Sequence, residues 1–212
     1  MVKSIAEIRN PEIVQATIAA IAKHGLPNPS YDTIAEVADM SRQLIRHYFP
    51  TPEDLMVTGC DGLAAAHREA LGQGILTTNV RNRLPVFLDF YFDILSGPKE
   101  RKPRDERVYT ALYAMATTSK KVRQRLTSHA GELETAIVHE IQIAYPKMPN
   151  TACAEMGYLF MTLMYGHWRM VGTFGYSEER NVVARDAMDR LIASYTQRYD
   201  DPNDPEPPLS EI

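Results

Sequence analysis

The stretch Thr33–Phe49, TIAEVADMSRQLIRHYF, decides the fold because its pattern predicts two short helices separated by a sharp break. Its first half places four apolar residues at helical spacing on an expected inward face: Ile34, Ala35, Val37 and Ala38. Asp39-Met40 interrupts this pattern. Ser41 is then a favourable N-cap for a second helix that ends near Phe49. Two short helices joined by a tight turn predict a helix-turn-helix.

The second helix concentrates hydrogen-bond donors and an aromatic ring on exposed or flanking positions. In a helix-turn-helix bound to DNA this helix lies in the major groove, where Arg pairs with guanine and Gln with adenine. Ser, Tyr and Arg side chains also reach phosphates. The predicted DNA-contacting residues are Ser41, Arg42, Gln43, Arg46, His47 and Tyr48, with Thr33 and Thr51. The alternative interpretation is a short surface helix whose Arg side chains serve only for solvation.

The segment Thr33–Met56, TIAEVADMSRQLIRHYFPTPEDLM, resembles the helix-turn-helix signature of the TetR family of bacterial repressors. In that family an Ile-Ala pair precedes Ala-Gly-Val-Ser, an apolar-aromatic stretch ending in Tyr/His-Phe, and Ser-Lys-Glu-x-Leu. IVQATIAAIAKHG, residues 13–25, resembles the family's first helix. More weakly, residues 158–179 resemble the ligand-binding half of BetI-type, choline-responsive members. The resemblance implies a ligand-responsive repressor that is a homodimer and is released from DNA by a small-molecule effector.

Three positions depart from the family pattern. Asp39-Met40 stands where the family commonly has Gly-Val, and Asp tolerates the positive φ that a Gly would supply. Arg46 stands where a Tyr often contacts phosphate, which leaves the operator sequence open. Pro52 replaces a Lys that commonly contacts the DNA backbone.

The charge distribution predicts weak general DNA binding. The 212-residue chain has a net charge of −4. Through Leu55 it has five basic and seven acidic side chains, whereas Ser41–Phe49 has two basic and no acidic ones. Positive charge is therefore focused on the predicted reading helix, and specificity should depend on a dimer. A ligand-binding or adaptor protein of the same fold that does not bind DNA is the rival hypothesis.

The remaining sequence predicts an all-α fold without strands. An antiparallel bundle of long helices is expected to follow the N-terminal three-helix unit, giving nine or so helices in all. The expected domains are a DNA-binding domain over residues 1–50, a ligand-binding and dimerisation bundle over residues 51–200, and a flexible acidic, Pro-rich tail over residues 201–212. The predicted helices are 11–24, 30–38, 41–49, 51–71, 80–95, 105–118, 120–144, 151–174 and 177–199, with a linker at 72–79 and a loop at 96–105.

Several other functions lack a sequence pattern. No His has a Glu three positions before it, and HEIQI at His139 lacks the second His of a zinc protease. We therefore expect no enzyme activity, metal or cofactor. No apolar run is long enough for a membrane span and the N-terminus has no signal-peptide pattern, so a cytoplasmic protein with no membrane partner is predicted. Cys60 and Cys153 are expected to be buried, reduced thiols.

Aromatic and Met side chains in the later helices predict a small-molecule pocket. The candidate ligand-binding residues are Phe90, Tyr91, Tyr109, Tyr113, Met161, Tyr165 and Trp168. Four of them are candidates for a cation-binding cage: Tyr109, Tyr113, Tyr165 and Trp168. Ordinary core packing is the alternative for each of these residues.

The last two long helices carry apolar residues on more than one face, which predicts a two-fold homodimer. The candidate interface residues are Met156, Leu159, Phe160, Leu163, Met188, Leu191 and Ile192, with Val182 and Val183 nearby. Gly157 and Gly166 would allow close approach. Such a dimer would place two reading helices on a palindromic double-stranded DNA operator.

Overall fold

The computed structural model describes residues 5–24, 30–93 and 101–200, and these residues form α-helices joined by short connections. A 3-10 turn, Val80–Asn82, precedes α5. The helices are α1 Ile5–His24, α2 Tyr31–Ala38, α3 Arg42–Tyr48, α4 Pro52–Leu76, α5 Arg83–Tyr91, α6 Arg101–Ala116, α7 Lys120–Ala144, α8 Asn150–Phe174 and α9 Glu178–Asp200. The predicted all-α fold is confirmed over these ranges, within which there is no strand.

Side-chain caps define the starts of the N-terminal helices. The Ser30 and Ser41 hydroxyls each accept the backbone N–H three residues ahead at 3.2 Å, and Thr51 does the same at 3.1 Å. Each bond satisfies an amide that has no partner within its own helix. Pro52 follows at the first helical position, where a missing N–H costs nothing.

The turn between α2 and α3 is closed by a left-handed residue. Asp39 has φ 51° and ψ 47°, as expected for the residue that replaces Gly. Its N–H donates to the Glu36 carbonyl at 3.4 Å, and the Met40 N–H donates to the Ala35 carbonyl at 3.0 Å. This pair of bonds is the Schellman arrangement, which reverses the chain directly after a helix.

The buried side chains form two clusters. The C-terminal cluster lies between α4, α5, α7, α8 and α9 and includes Phe87, Phe92 and Phe160. The N-terminal cluster joins α1–α4 to α6 and α7, which supply Val108, Ala111, Leu112 and Val122. The division at residue 50 stays a prediction, and the two sides of that boundary share one core.

Five details of the predicted elements are wrong. Helix α1 begins at Ile5, six residues before its predicted start, so Pro11 lies inside the helix and not in its first turn. Helix α4 continues to Leu76 through the predicted linker, because Gly72 and Gly74 lie on a helix packed against α5. Helix α6 begins at Arg101 within the predicted loop. Helix α5 ends at Tyr91, before a left-handed Asp93 with φ 57°. Val37 is 37% exposed and does not point inward, because the buried face of α2 is centred on Ile34.

The tail 201–212 lies outside the described residues. Helices α7 and α8 begin and end within one residue of their predictions. Both Cys60 and Cys153 are buried free thiols, as predicted, and burial raises the pKa of Cys60 to about 12. Among the described helices, none combines the length and apolarity that a membrane crossing requires.

Candidate functional site

The exposed face of α3 carries most of the predicted DNA-contacting side chains. Five of them are exposed: Ser41, Arg42, Gln43, Arg46 and His47. Tyr48 is half-buried and its ring lies 5.3 Å from that of His47. Ile45 is fully buried on the opposite side and fixes which face is outward. The helix therefore presents two cations, an amide and an imidazole together.

Contacts with α2 hold α3 in place. The Arg42 guanidinium donates to both carboxylate oxygens of Asp32, at 3.2 and 3.3 Å. The Arg46 guanidinium lies 5.9 Å from the centre of the Tyr31 ring. The Tyr31 hydroxyl donates to the Phe49 carbonyl at 2.8 Å, which ties the start of α2 to the end of α3. Burial raises the pKa of Tyr31, so its donor proton is retained.

Thr33 and Thr51 belong to helix starts. Thr33 is half-buried, and its hydroxyl lies 3.1 Å from the Ser30 hydroxyl. Thr51 is exposed, caps α4 and donates its hydroxyl to Asp54 at 2.7 Å. Thr51 therefore already has a capping role, whereas Thr33 lies in the first turn of α2 and donates its backbone N–H to the N-cap Ser30.

Polar contacts connect α7 and α6 to the N-terminal helices. Arg125 forms an ion pair with Asp61, in which Nη2 lies 2.7 Å from a carboxylate oxygen. Lys121 pairs with Asp54, and its ammonium group lowers the pKa of that carboxyl. Arg107 donates to the Ala22 carbonyl at 3.2 Å. Local sequence patterns do not predict these contacts, because their partners are 64 to 85 residues apart.

A cavity of about 150 Å³, named here the inner cavity, lies between α4, α5, α6, α7 and α8. Five of the seven predicted ligand-binding residues line it: Tyr91, Tyr109, Tyr113, Tyr165 and Trp168. Met161 is buried in the C-terminal cluster instead, and Phe90 packs half-buried against that cluster. Leu71, Leu126, Leu133 and Met164 complete much of the apolar wall.

The aromatic side chains of the inner cavity form a connected group. The Tyr109 and Tyr113 ring centres are 6.3 Å apart, and the Tyr113 and Tyr165 rings meet edge to face at the same distance. The Trp168 indole N–H donates to the Tyr91 carbonyl at 2.8 Å, which fixes the indole in the wall. Burial raises the pKa of each of these four tyrosines, so all remain neutral donors at physiological pH.

Ionisable side chains that sequence reasoning missed complete the wall. Asp105 is 3% exposed and lies 3.0 Å from the His67 imidazole. Glu106 is 7% exposed, and burial raises its pKa to about 7 while the nearby Arg169 opposes that shift. His129 lies 3.1 Å from Asp61, and burial lowers its pKa. Only the fold reveals this group, because the residues come from three helices.

A wider cleft of about 530 Å³, the outer cleft, opens beside the inner cavity. The two spaces share four lining residues: Glu106, Tyr113, Leu126 and Tyr165. Arg123 and Arg169 line only the outer cleft. The Arg169 guanidinium lies 5.5 Å from the centre of the Tyr113 ring. The two spaces are therefore adjacent, and the inner cavity is the less open of the two.

Helix α6 contacts both the inner cavity and the helix-turn-helix core. Tyr109 and Tyr113 line the inner cavity, whereas Val108 and Leu112 lie in the N-terminal cluster with Ile34 and Ile45. A displacement of α6 by a molecule in the cavity would reach α2 and α3 through α1, which contacts α6, α2 and α3, because well-packed interiors transmit strain.

The structure corrects part of the predicted dimer interface. Four of its residues are buried within the single chain and have no surface left for a partner: Met156, Phe160, Met188 and Ile192. Leu159, Leu163 and Leu191 are half-buried. Gly157 provides close approach within the chain, since a Cβ there would lie 2.5 Å from Val138 of α7. The large apolar side chains exposed on α8 and α9 are Tyr158, Met170, Phe174, Val182 and Val183.

No family model matches the sequence, and no curated protein matches it significantly. Solved structures do match. A TetR transcription regulator from Haloarcula marismortui superposes with TM-score 0.78 and 18% identity, covering 89% of this chain and 98% of that one. A putative transcriptional regulator from Pseudomonas aeruginosa gives 0.73 and 19%, covering 93% and 96%. Another from Saccharomonospora viridis, solved in complex with choline, gives 0.73 and 16%, covering 88% and 96%. The chain has the fold of TetR-family transcriptional regulators.

Proposed function

We propose that the protein is a DNA-binding transcriptional regulator that a small molecule releases from its operator, and that it acts as a repressor. One observation carries the proposal: α6 lines the inner cavity with Tyr109 and Tyr113, while its Val108 and Leu112 belong to the N-terminal cluster, where α6 contacts α1 and α1 contacts α2. A ligand in the cavity and DNA at α3 can therefore change each other's binding affinity through α6.

The DNA contact is assigned to the exposed face of α3. Arg42 and Arg46 supply bidentate donors for guanine edges or phosphates, and Gln43 can pair with adenine. Ile45 and Phe49 are buried on the opposite side of α3 and hold the helix against the core, so the outward side chains have a fixed orientation. Because the N-terminal unit as a whole is not basic, specificity rests on α3 and on a second copy of the chain.

The second copy is assigned to the exposed apolar face of α8 and α9. A soluble helix pair gains free energy when such side chains leave water, at about 25 cal/mol per Å² of apolar surface. Members of this face include Phe174, which is 64% exposed, and Val183, which is 57% exposed. A two-fold dimer would set two copies of α3 about 34–36 Å apart on successive major-groove turns.

Release would follow from a population shift. A ligand that binds the inner cavity more tightly in one dimer geometry favours that geometry. To shift the ratio of two geometries from 1:99 to 99:1, the ligand's binding free energies for them must differ by about 5.5 kcal/mol. Helix α6 and the start of α4, tied to α7 by the pairs of Asp54 and Asp61, would carry the change to α3.

The test is fluorescence anisotropy with labelled double-stranded DNA from upstream of the protein's own gene, at about 50 mM and about 200 mM salt. We expect saturable binding that weakens with salt, and a loss of at least about tenfold in the Arg42→Ala, Arg46→Ala double variant. Arg180→Ala with Arg190→Ala removes two exposed arginines from α9 and is the matched control, with native mass as a check on the dimer. Equal loss in both variants would contradict the assignment to α3.

A ligand-binding protein of this fold that does not bind DNA is the second candidate. It is favoured by the excess of acidic residues through Leu55 and by the pairing of Arg42 with Asp32. Absence of binding to any palindromic upstream fragment at about 50 mM salt would favour this candidate over the regulator.

A further inference from the structure

The polar end of the inner cavity contains a buried carboxylate that has no close basic partner. Glu106 accepts one hydrogen bond, from the Thr110 hydroxyl at 3.5 Å. Within the described residues, no Lys, Arg or His nitrogen lies within 4.0 Å of its oxygens. A carboxylate that is 7% exposed is costly to ionise without a neighbouring cation. Because burial disfavours the charged form, the pKa of Glu106 is raised to about 7.

Aromatic rings line the same spaces as this carboxylate. Tyr113 and Tyr165 meet edge to face 6.3 Å apart, and both line the inner cavity and the outer cleft together with Glu106. Tyr109 continues the group, 6.3 Å from Tyr113. Ring faces attract cations through their quadrupole, most strongly where water is excluded. A negative group among ring faces is therefore complementary to a positive charge.

A cation of the protein lies on the other side of the same wall, in the outer cleft. Arg169 projects from α8 into the outer cleft and approaches the Tyr113 ring to 5.5 Å. Its charge also favours the ionised form of Glu106. The guanidinium is exposed and reaches the shared wall only from the cleft side, so the enclosed side remains available to a smaller cation.

We propose that the inner cavity binds a small organic cation of the alkylammonium class, whose charge pairs with Glu106 against the Tyr113 and Tyr165 rings from the side opposite Arg169. The proposal names the ligand class of the site assigned above and therefore rests on the proposed function for its biological role. A cavity of about 150 Å³ holds a molecule the size of benzene, which excludes long-chain amphiphiles from the enclosed space.

Other ligand classes fit this wall less well. An anion would be repelled by Glu106 and by the negative faces of the rings. A neutral apolar molecule would leave the buried carboxyl group with Thr110 as its hydrogen-bond partner and would not relieve its desolvation.

The experiment compares choline with 3,3-dimethylbutan-1-ol, which has nearly the same shape but no charge. Trp168 is the single tryptophan of the chain and lines the inner cavity, so its fluorescence reports occupancy directly. Titration of the full chain without DNA should show choline binding at least about tenfold more tightly than the alcohol. Tetramethylammonium serves as a second cationic probe.

Variants separate charge from shape. Glu106→Gln keeps the shape of the side chain and should weaken choline binding by at least about tenfold while leaving the alcohol unchanged. Arg169→Ala removes a positive charge beside the cavity and should strengthen choline binding. Glu69→Gln removes an exposed carboxylate of α4 that does not line the cavity, and should change neither.

A pH series adds an independent readout. Choline affinity should rise between about pH 6 and pH 8 as Glu106 ionises, and Glu106→Gln should abolish that rise. The other charged or titratable groups that line the two spaces are His67, Arg68, Tyr91, Asp105 and Tyr109, with Tyr113, Arg123, His129, Glu132, Tyr165 and Arg169. Any rise that persists in Glu106→Gln would belong to one of these groups and count against Glu106.

Three results would overturn the proposal: equal affinity for choline and the alcohol, unchanged choline binding in Glu106→Gln, or no saturable signal with choline and tetramethylammonium. Because these titrations contain no DNA, their failure is distinguishable from failure of the regulator function, which the anisotropy experiment tests alone.

Discussion

The Arg42 guanidinium lies 3.2 Å from the Asp32 carboxylate, so the first basic side chain of α3 is paired with α2 in the free chain. Both side chains are more than half exposed, at 53% and 65%. Exposed ion pairs of this kind contribute about 0–1 kcal/mol. Arg42 can therefore leave Asp32 for a phosphate or a base edge at little cost, but the carboxylate stays close to the incoming DNA.

Asp32→Asn should strengthen DNA binding. The substitution removes a negative charge beside the proposed groove contact and frees Arg42, so we expect an affinity gain of about threefold to tenfold at low salt. The stability of the chain should change by less than about 0.5 kcal/mol, because the pair is exposed. Anisotropy and thermal unfolding measure the two effects. Weaker DNA binding in Asp32→Asn would mean that the pair holds α3 in its binding orientation.

Asp39→Gly and Asp39→Ala should change stability in opposite directions. The left-handed conformation at φ 51° is free of strain for Gly, tolerable for Asp and costly for Ala. We expect Ala to destabilise by about 1 kcal/mol and Gly to stabilise by up to about 1 kcal/mol, less the added freedom of the unfolded chain. Urea unfolding at one fixed protein concentration measures both. Equal midpoints for Ala and Asp would contradict the geometry of this turn.

Gly157→Ala should destabilise the fold. A Cβ at this position would lie 2.5 Å from Val138 Cγ2, so α7 and α8 must separate or Val138 must change rotamer. Overpacking of this kind costs about 1–3 kcal/mol. Gly131→Ala is the matched control, because its Cβ enters open space on a helix, and it should stabilise by about 0.5–1 kcal/mol. The prediction fails if both variants shift the unfolding midpoint in the same direction.

Glu106→Gln should gain stability relative to the wild type as pH rises. Burial raises the pKa of this carboxyl from 4.5 to about 7, so between these values the folded chain binds more protons than the unfolded chain. Raising the pH through that window therefore destabilises the wild type through Glu106, by at most about 3 kcal/mol. Gln does not titrate and avoids this loss. Unfolding at pH 5, 6, 7 and 8 measures the difference, which should be smallest at pH 5; a constant difference would place the carboxyl in contact with water.

Much of the N-terminal unit could be predicted because its signals are local. A cap at Ser41, a break at Asp39 and a restart at Thr51 each depend on hydrogen bonds within a few residues of the chain. The turn conformation of Asp39 was predictable for the same reason. Errors arose where local signals compete with packing: Gly72 and Gly74 indicated a linker, but contacts with α5 keep α4 helical to Leu76.

The candidate pocket was predictable in part. The aromatic content of α5, α6 and α8 indicated a cavity, and five of the seven residues chosen line it. Glu106 and His67 were missed, because one carboxylate or imidazole on a helix gives no sign of burial until its neighbours are known. Four of the residues predicted for a dimer interface are buried inside the chain for a related reason: an apolar pattern on two sides of α8 or α9 does not say which side packs inside the chain.

The sequence by itself determined the all-α fold, the caps and turn of the helix-turn-helix, and the residue types on α3, because helical periodicity and capping are short-range properties of the chain. Only the tertiary structure decided which apolar faces are internal, that Asp32 neutralises Arg42, and that Glu106 lies buried among tyrosines with Arg169 outside. Burial and charge pairing depend on groups up to a hundred residues apart in the chain, and folding alone brings them within a few ångströms of one another.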